Sequence, residues 1–243
     1  MLIGWIAVHG GCGRMDFDPL ASGDAQLDAP LDAPIACVPA ATPRYEQGSC
    51  STTHGLPAMM SLTVATNMLA VRNLLVVAVD FDGTTNTVVV TDSLGNALQA
   101  VAPAPRSMTQ SDQIWYAVIT AGGPDVITAT FDSPTLGIGL YAHEYSGLDT
   151  SGPLDVFVTG TGTGTAIATA TLTTARPDEL LFAHGMTQDV VSAPGAGFAS
   201  RQTCNANMTE DMVAPTPGSY SATFTAGASA NWLASLVALR PCP

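Results

Sequence analysis

The hydrophobic pattern of this chain of 243 residues consists of short apolar runs rich in Val, Ile, Thr and Tyr, separated by Gly, Pro, Asn and Asp. Such runs, with turn signals about every 8–12 residues, are typical of β-strands, and no stretch keeps a helical apolar period over three turns. We therefore expect an all-β protein, a two-sheet antiparallel β-sandwich of jelly-roll type with about 12–13 strands. The runs predict strands at 61–66, 73–81, 87–91, 97–102, 113–120, 125–131, 136–145, 165–173, 179–184, 197–203, 208–213, 220–225 and 231–239.

The order of these runs repeats along the chain. Ile127–Phe131 precedes a Gly-rich apolar run that ends at Tyr145, and Tyr220–Phe224 likewise precedes the run at 231–239. Equivalent runs are separated by about 105 residues early in the repeat and about 93 later. Two interpretations stay open: duplication of a half-sandwich, with halves at about 55–150 and 160–243, or convergence of similar strands on similar composition.

The N-terminal segment looks like a bacterial lipoprotein signal. An apolar run, Met1–Val8, is followed by the small pair Gly10 and Gly11 and then by Cys12. We expect residues 1–11 to act as a signal peptide, Cys12 to be lipidated, and residues 12–36 to form a disordered acidic, Pro-rich tether. No basic residue precedes the apolar run, so an unprocessed apolar N-terminus is the alternative, and a start assigned too far downstream would explain the missing charge. Residues 37–243 are expected to form a single domain.

Charge limits the classes of partner. The chain has 7 basic and 20 acidic residues, for a net charge of −13. Nucleic acid is therefore not an expected partner, because phosphate contacts need clustered Lys and Arg. An anionic membrane surface would repel this chain, so we expect membrane attachment through the lipid anchor alone.

The cysteines predict disulfide bonds and an exported protein. Besides Cys12 the chain has an even set, Cys37, Cys50, Cys204 and Cys242, with no C-x-x-C spacing. Cys37–Cys242 with Cys50–Cys204 would tie the ends of the domain together, whereas Cys37–Cys50 with Cys204–Cys242 is the alternative. Two disulfides indicate an oxidising compartment. We expect a lipoprotein of the outer membrane or cell surface, with a periplasmic or secreted protein as the alternative.

Two strand motifs and the anchor region carry a family resemblance. Ile127–Phe131 is followed by Glu144–Gly147 and then by Pro153-Leu-Asp155, and the anchor region reads Cys12-Gly-Arg-Met-Asp-Phe-Asp-Pro19. The chain resembles β-sandwich domains of surface lipoproteins from high-GC bacteria. The resemblance implies a surface location and a sandwich fold, and it supplies no catalytic residue.

One group of oxygen-bearing side chains raises the question of a calcium site. Asp80 and Asp82 alternate onto one side of a strand end, and Asn86 follows a turn. Carboxylate and amide oxygens are the ligands that Ca²⁺ prefers. However, Asp82-Gly83 is also an ordinary turn dipeptide. The sequence therefore favours a plain turn, with calcium as the alternative and no other cofactor expected.

Glu144 is an unusual residue in an apolar strand. Alternation places it on one face with Leu136, Ile138, Leu140 and Ala142, and a carboxylate at the rim of a core needs a partner. Arg240 is the expected partner, because it ends the corresponding strand of the second half. His143 lies on the opposite face. A structural ion pair is favoured over a role of these three residues in ligand recognition or acid–base chemistry.

The sequence lacks two common catalytic motifs, which favours a binding function over catalysis. The chain has no Gly-x-Ser-x-Gly elbow and no His-Glu-x-x-His sequence, so we predict no catalytic residue. Three function classes follow: a lipid-anchored module that binds glycan or a surface protein, a purely structural surface protein, and a jelly-roll hydrolase or lyase acting on carbohydrate. The sequence favours the first.

Overall fold

The computed structural model describes residues 36–37 and 42–243. The predicted signal segment, Cys12 and almost all of the tether lie outside the described residues, so the predictions for them stay predictions. Within the described part of the chain no helix could cross a membrane. The described residues belong to one compact unit.

The protein is all-β and its sheets are antiparallel, as predicted. The described residues form sixteen strands: β1 (Arg44–Thr52), β2 (Met59–Leu69), β3 (Leu74–Asp82), β4 (Val88–Asp92), β5 (Gln99–Ala100), β6 (Gln110–Val118), β7 (Gly123–Thr135), β8 (Gly139–Ser146), β9 (Leu154–Ala168), β10 (Leu172–Thr173), β11 (Glu179–Thr187), β12 (Val191–Ala193), β13 (Ala199–Cys204), β14 (Asn207–Ala214), β15 (Ser219–Tyr220) and β16 (Thr223–Leu239). The sequence missed β1, the first part of β9 and β12.

The first eight strands form a jelly roll. One sheet has the order β1-β8-β3-β6-β5, and a second has the order β2-β7-β4. The pairs β1–β8, β2–β7 and β3–β6 are those of a long hairpin rolled into two layers, which is the connectivity of a jelly roll. Val77 and Phe81 from β3 pack with Ile127 and Phe131 from β7 to fill the space between the two sheets.

The last eight strands repeat this arrangement. The second large sheet runs β9-β16-β11-β14-β13, the same relative order as the first. Residues Thr223–Ala226 of β16 pair with β12 and the end of β9, so β16 continues from one layer into the other. The equivalent order agrees with the repeat seen in the sequence. The predicted antiparallel β-sandwich is confirmed and occurs once in each half, and the described residues form four sheets in all.

The two large sheets, which we call the inner sheets, pack face to face. Leu74 and Tyr145 of the first inner sheet contact Leu180, Phe182 and their neighbours in the second, as part of one continuous core cluster. Each inner sheet is covered on both faces. This explains the complete burial of β11 and the burial of every residue of β3 except Asp82 at its end. We call the side chains between the inner sheets the central layer.

Two disulfide bonds between described residues cross-link the domain. Cys50 on β1 is bonded to Cys204 on β13, which joins the two inner sheets, and Cys37 is bonded to Cys242. This is the first of the two pairings left open by the sequence. The Cys242 amide donates to the carbonyl of Gly147, so the Cys37–Cys242 bond lies where β8 and β16 end.

Candidate functional site

A polar cleft opens where the two halves meet. We call it the seam cleft; it encloses about 260 Å³ and lies at the end of the inner sheets where β3 and β11 finish and β6 and β14 begin. Eight of its ten lining residues have side chains with hydrogen-bonding donor or acceptor atoms. The lining residues are His54, Asp82, Gln110, Gly137, Thr187, Gln188, Asp189, Asn205, Ala206 and Asn207.

Gln110 is the residue of the cleft whose hydrogen bonding is incomplete. Its side chain is only 6% exposed, and its Oε1 atom is buried without a hydrogen-bond partner. The position is fixed because Gln110 pairs with Asp82 at the end of the β3–β6 ladder. A buried amide oxygen without a donor is costly. A hydroxyl or amine of a ligand would satisfy this acceptor once the Gln110 side chain turns its Oε1 atom towards the cleft.

The amides on the other wall are already oriented by a buried carboxylate. Asn205 Nδ2 donates to Asp80 Oδ1 at 2.7 Å, and Asn207 Nδ2 lies 3.1 Å from Asp80 Oδ2. The Asn207 Oδ1 atom accepts from the amide of Thr187 at 3.0 Å. These contacts hold the two asparagines in one rotamer each, so the wall of the cleft is preorganised.

Behind this wall lies a charged group in the central layer. Both ring nitrogens of His184 face carboxylates: Nδ1 is 3.0 Å from Asp112 Oδ1, and Nε2 is 3.2 Å from Asp80 Oδ2. Burial alone would lower the pKa of His184, but the charges and hydrogen bonds of Asp112 and Asp80 raise it to about 10. His184 is therefore a buried imidazolium at neutral pH. Tyr141 adds its hydroxyl at 2.8 Å from Asp80 Oδ2, and its pKa is raised by burial and by the charge of Asp80.

A second polar group crosses the central layer nearer its middle. The Tyr145 hydroxyl donates to Asp211 Oδ2 at 2.6 Å, and Arg201 contacts both oxygens of Asp211 at 2.7 and 2.8 Å. His143 Nε2 lies 2.9 Å from the hydroxyl of Thr209. Burial lowers the pKa of His143 to about 3, so this histidine is neutral. It does not reach the seam cleft, and its role is to pack against Phe182 and Tyr145.

The calcium hypothesis finds no support in these contacts. Asp80 is turned into the central layer, where its oxygens are bonded to Asn205, Asn207, Tyr141 and the cation of His184. Asn86 donates through Nδ2 to Thr135 Oγ1 at 2.5 Å. Asp82 alone of the three lines the cleft, and burial and the charge of Asp80 raise its pKa, opposed by His54. Within the described residues no group of three or more His, Cys, Asp or Glu is arranged to hold a metal.

The predicted ion pair between Glu144 and Arg240 is wrong. Glu144 is buried, but its carboxylate accepts from Gln47 Nε2 and Asn73 Nδ2, both at 2.6 Å, and from the amide of Ala70 at 2.8 Å. Arg240 bonds Asp155 at 2.6 Å. Each residue finds its partners within its own half, because Glu144 points into the first sandwich and not into the central layer.

Comparison with protein-family profiles, curated proteins and solved structures finds no match. The seam cleft is therefore defined by its own chemistry. Sequence reasoning found Asp82 but missed Gln110, Asn205 and Asn207. The sequence gives little indication of Asn205, because it forms a turn with Ala206 between β13 and β14, and turn residues of this kind are common. Both residues of the turn have positive φ.

Proposed function

We propose that this protein is a non-catalytic binding module of the cell envelope, and that the seam cleft binds a glycan. The observation that carries the proposal is a cleft of hydrogen-bonding side chains that includes the buried, unpartnered Oε1 of Gln110. Amide and carboxylate side chains fixed on strands are suited to the hydroxyl groups of a sugar, which need several convergent donors and acceptors.

The charges of the cleft limit the classes of ligand that it can bind. Asp82 and Asp189 are its carboxylates, and no Arg or Lys is among its lining residues. An anionic group would therefore be repelled, whereas a neutral sugar unit fits the surrounding amides. Preorganisation by Asp80 supports binding, because side chains already held in place lose little entropy when a ligand arrives.

The position of the cleft suits a protein anchored near its N-terminus. Cys37 is bonded to Cys242 at the end of the inner sheets where β3 begins, and the cleft lies where β3 ends. Nine residues of β3 separate the two ends by about 25–30 Å. We propose that a lipid on Cys12, followed by the tether, leaves the cleft directed away from the membrane, on a lipoprotein of the outer membrane or cell surface.

The test is glycan binding by the disulfide-bonded full chain, first on a glycan array and then by calorimetry on the hits. Gln110→Ala should weaken binding of the hit by about tenfold, since a lost hydrogen bond is worth about 0.5–1.5 kcal/mol. Asp82→Asn tests a second, exposed position of the cleft. Gln99→Ala is the matched control, because Gln99 is an exposed glutamine outside the cleft.

Two results would contradict the proposal. One is an array without any hit, and the other is a hit whose affinity is unchanged in both Gln110→Ala and Asp82→Asn. Melting temperatures of all variants establish that each is folded before its affinity is compared.

A carbohydrate hydrolase is the second candidate, because Asp82 and Asp189 line the same cleft and the pKa of Asp82 is raised. Glycoside hydrolysis needs one carboxyl group as acid and a second as base or nucleophile. This activity would be identified by the release of reducing ends from a bound glycan. Each of the single variants Asp82→Asn and Asp189→Asn should abolish that release. Binding without release supports the non-catalytic module.

A further inference from the structure

A second cleft lies beside the seam cleft. We call it the arginine cleft; it encloses about 380 Å³, and its polar lining residues are Arg106, Ser107, Thr161, Thr163, Asn231 and Trp232. The loop before β6 supplies one wall, and β9 and β16 of the other half supply the second. Gln188 separates the two clefts, since its Nε2 donates to Thr109 Oγ1 at 2.7 Å and its Oε1 accepts from Asn231 at 3.1 Å.

Arg106 is a cation without a carboxylate partner. Its guanidinium contacts two neutral oxygens, Ser111 Oγ at 3.4 Å and the carbonyl of Asn86 at 3.2 Å, and within the described chain it belongs to none of the ion pairs. Arg44, Arg201 and Arg240 are each paired with Glu or Asp. An unpaired guanidinium in an acidic protein is a binding group for a carboxylate, with which it forms two parallel hydrogen bonds.

Trp232 provides a second unused donor in the same cleft. The side chain is 9% exposed, and its Nε1 atom is buried without an acceptor, although a buried indole N–H usually finds a partner. The ring lies directly against Gly162, where an added Cβ would be 2.5 Å from Trp232 Cζ2. The absence of a side chain at Gly162 therefore allows the indole to pack beside the cleft.

We propose that the arginine cleft binds the carboxylate of a sugar acid of the uronic acid class. Arg106 pairs with the carboxylate, and the indole N–H of Trp232 and the hydroxyls of Ser107 and Thr161 bind the sugar oxygens. Every one of these groups is a donor, which matches a ligand rich in acceptors. The proposal goes beyond the seam cleft and does not depend on it, because the two clefts share no lining residue.

The test is a titration of the disulfide-bonded full chain with D-glucuronate. The indole N–H resonance of Trp232 in ¹H–¹⁵N spectra monitors binding. The resonance is assigned to Trp232 by its absence from the spectrum of the Trp232→Phe variant. We expect a saturable shift, and Arg106→Gln should weaken binding by about tenfold or more because a charge-assisted bond is lost. Arg72→Gln is the matched control, since it removes the same charge from an exposed turn outside the cleft.

Two further probes separate the alternatives. The methyl ester of glucuronic acid has the same hydroxyls without the charge, and acetate has the charge without the sugar. A Trp232 shift that is absent, that is equally strong with the methyl ester, or that saturates at the same glucuronate concentration in Arg106→Gln as in the wild type would overturn the proposal. Equal saturation by acetate would overturn the assignment to a sugar acid. Failure of the seam-cleft proposal is seen separately, as an array without any hit or as glycan binding that depends on neither Gln110 nor Asp82.

Discussion

At the scale of single residues, we expect His184 to make the free energy of unfolding decrease as the pH rises above neutrality. Its pKa is raised to about 10 by Asp112 and Asp80, against burial, while an unfolded histidine has a pKa of about 6.5. The native state therefore holds a proton that the unfolded state releases. The stabilisation is fully present below pH 6.5 and is lost as the pH rises towards the folded-state value, with a slope of up to about 1.4 kcal/mol per pH unit.

Denaturant unfolding between pH 6.5 and 10 checks this prediction. The free energy of unfolding of the wild type should fall across that window. His184→Gln should be less stable, and its stability should be nearly independent of pH above about pH 8, where Glu210, whose pKa burial raises to about 7, has also lost its proton. His54→Gln, which changes an exposed histidine, should keep the slope of the wild type. A slope retained in His184→Gln would mean that another group binds the proton.

Glu144 and His184 also show what local sequence patterns omit. Alternation correctly identified Glu144 as a buried carboxylate in need of partners, but those partners come from Gln47, Ala70 and Asn73 on other segments. Asp80 was considered as a calcium ligand at a turn, yet its cationic partner is His184, on a strand of the other half. Periodicity gives the face on which a residue lies, whereas its partner depends on which sheets pack together.

At the scale of elements, the Cys50–Cys204 bond joins β1 to β13 and so links the two inner sheets. Replacing both cysteines by serine should lower the free energy of unfolding by about 2–4 kcal/mol, because the unfolded chain loses a cross-link. Chemical denaturation measures the change. Replacing Cys37 and Cys242 by serine is the matched control for loss of one disulfide at the other end of the sheets.

The position of Cys50–Cys204 adds a functional expectation. Cys204 immediately precedes Asn205, whose amide is held by Asp80 in the wall of the seam cleft. The Cys50→Ser/Cys204→Ser variant should therefore also weaken any glycan found to bind there, whereas the Cys37→Ser/Cys242→Ser variant should not. Equal affinities in the two variants would show that the bond does not maintain the cleft.

The strands themselves were largely predictable, and the exceptions are informative. β3 and β11 are apolar runs whose burial is nearly continuous, so composition alone indicates them. β1 reads Arg-Tyr-Glu-Gln-Gly-Ser-Cys-Ser-Thr and carries no such signal. It becomes a strand because β8 offers it an antiparallel ladder from Arg44 to Thr52, interrupted by a bulge between Tyr45 and Gln47. The Gly-Thr repeat of β9 is likewise a strand because β16 lies beside it.

At the scale of the whole molecule, the central layer predicts that the two halves unfold together. Leu74 and Tyr145 from one half and Leu180 and Phe182 from the other share one apolar cluster, and buried polar groups cross between the same sheets. Separation of the halves would expose all of these groups to water. Differential scanning calorimetry should give a single transition whose calorimetric and van't Hoff enthalpies agree. Two resolved transitions would show that each jelly roll is stable alone.

The Cys37–Cys242 bond also determines how the molecule would respond to a pulling force. A load applied at Cys37 passes through the disulfide to Cys242 and directly into β16, while a ligand held in the seam cleft pulls on the far end of the same sheets. The seam cleft is lined by the end of β11 and not by β9 or β16, so this load passes from β16 to β11. The hydrogen bonds of the β16–β11 ladder are then loaded simultaneously in shear instead of opening one after another. A bound polymer under tension would thus be resisted by that whole ladder, from Leu180 to Thr187.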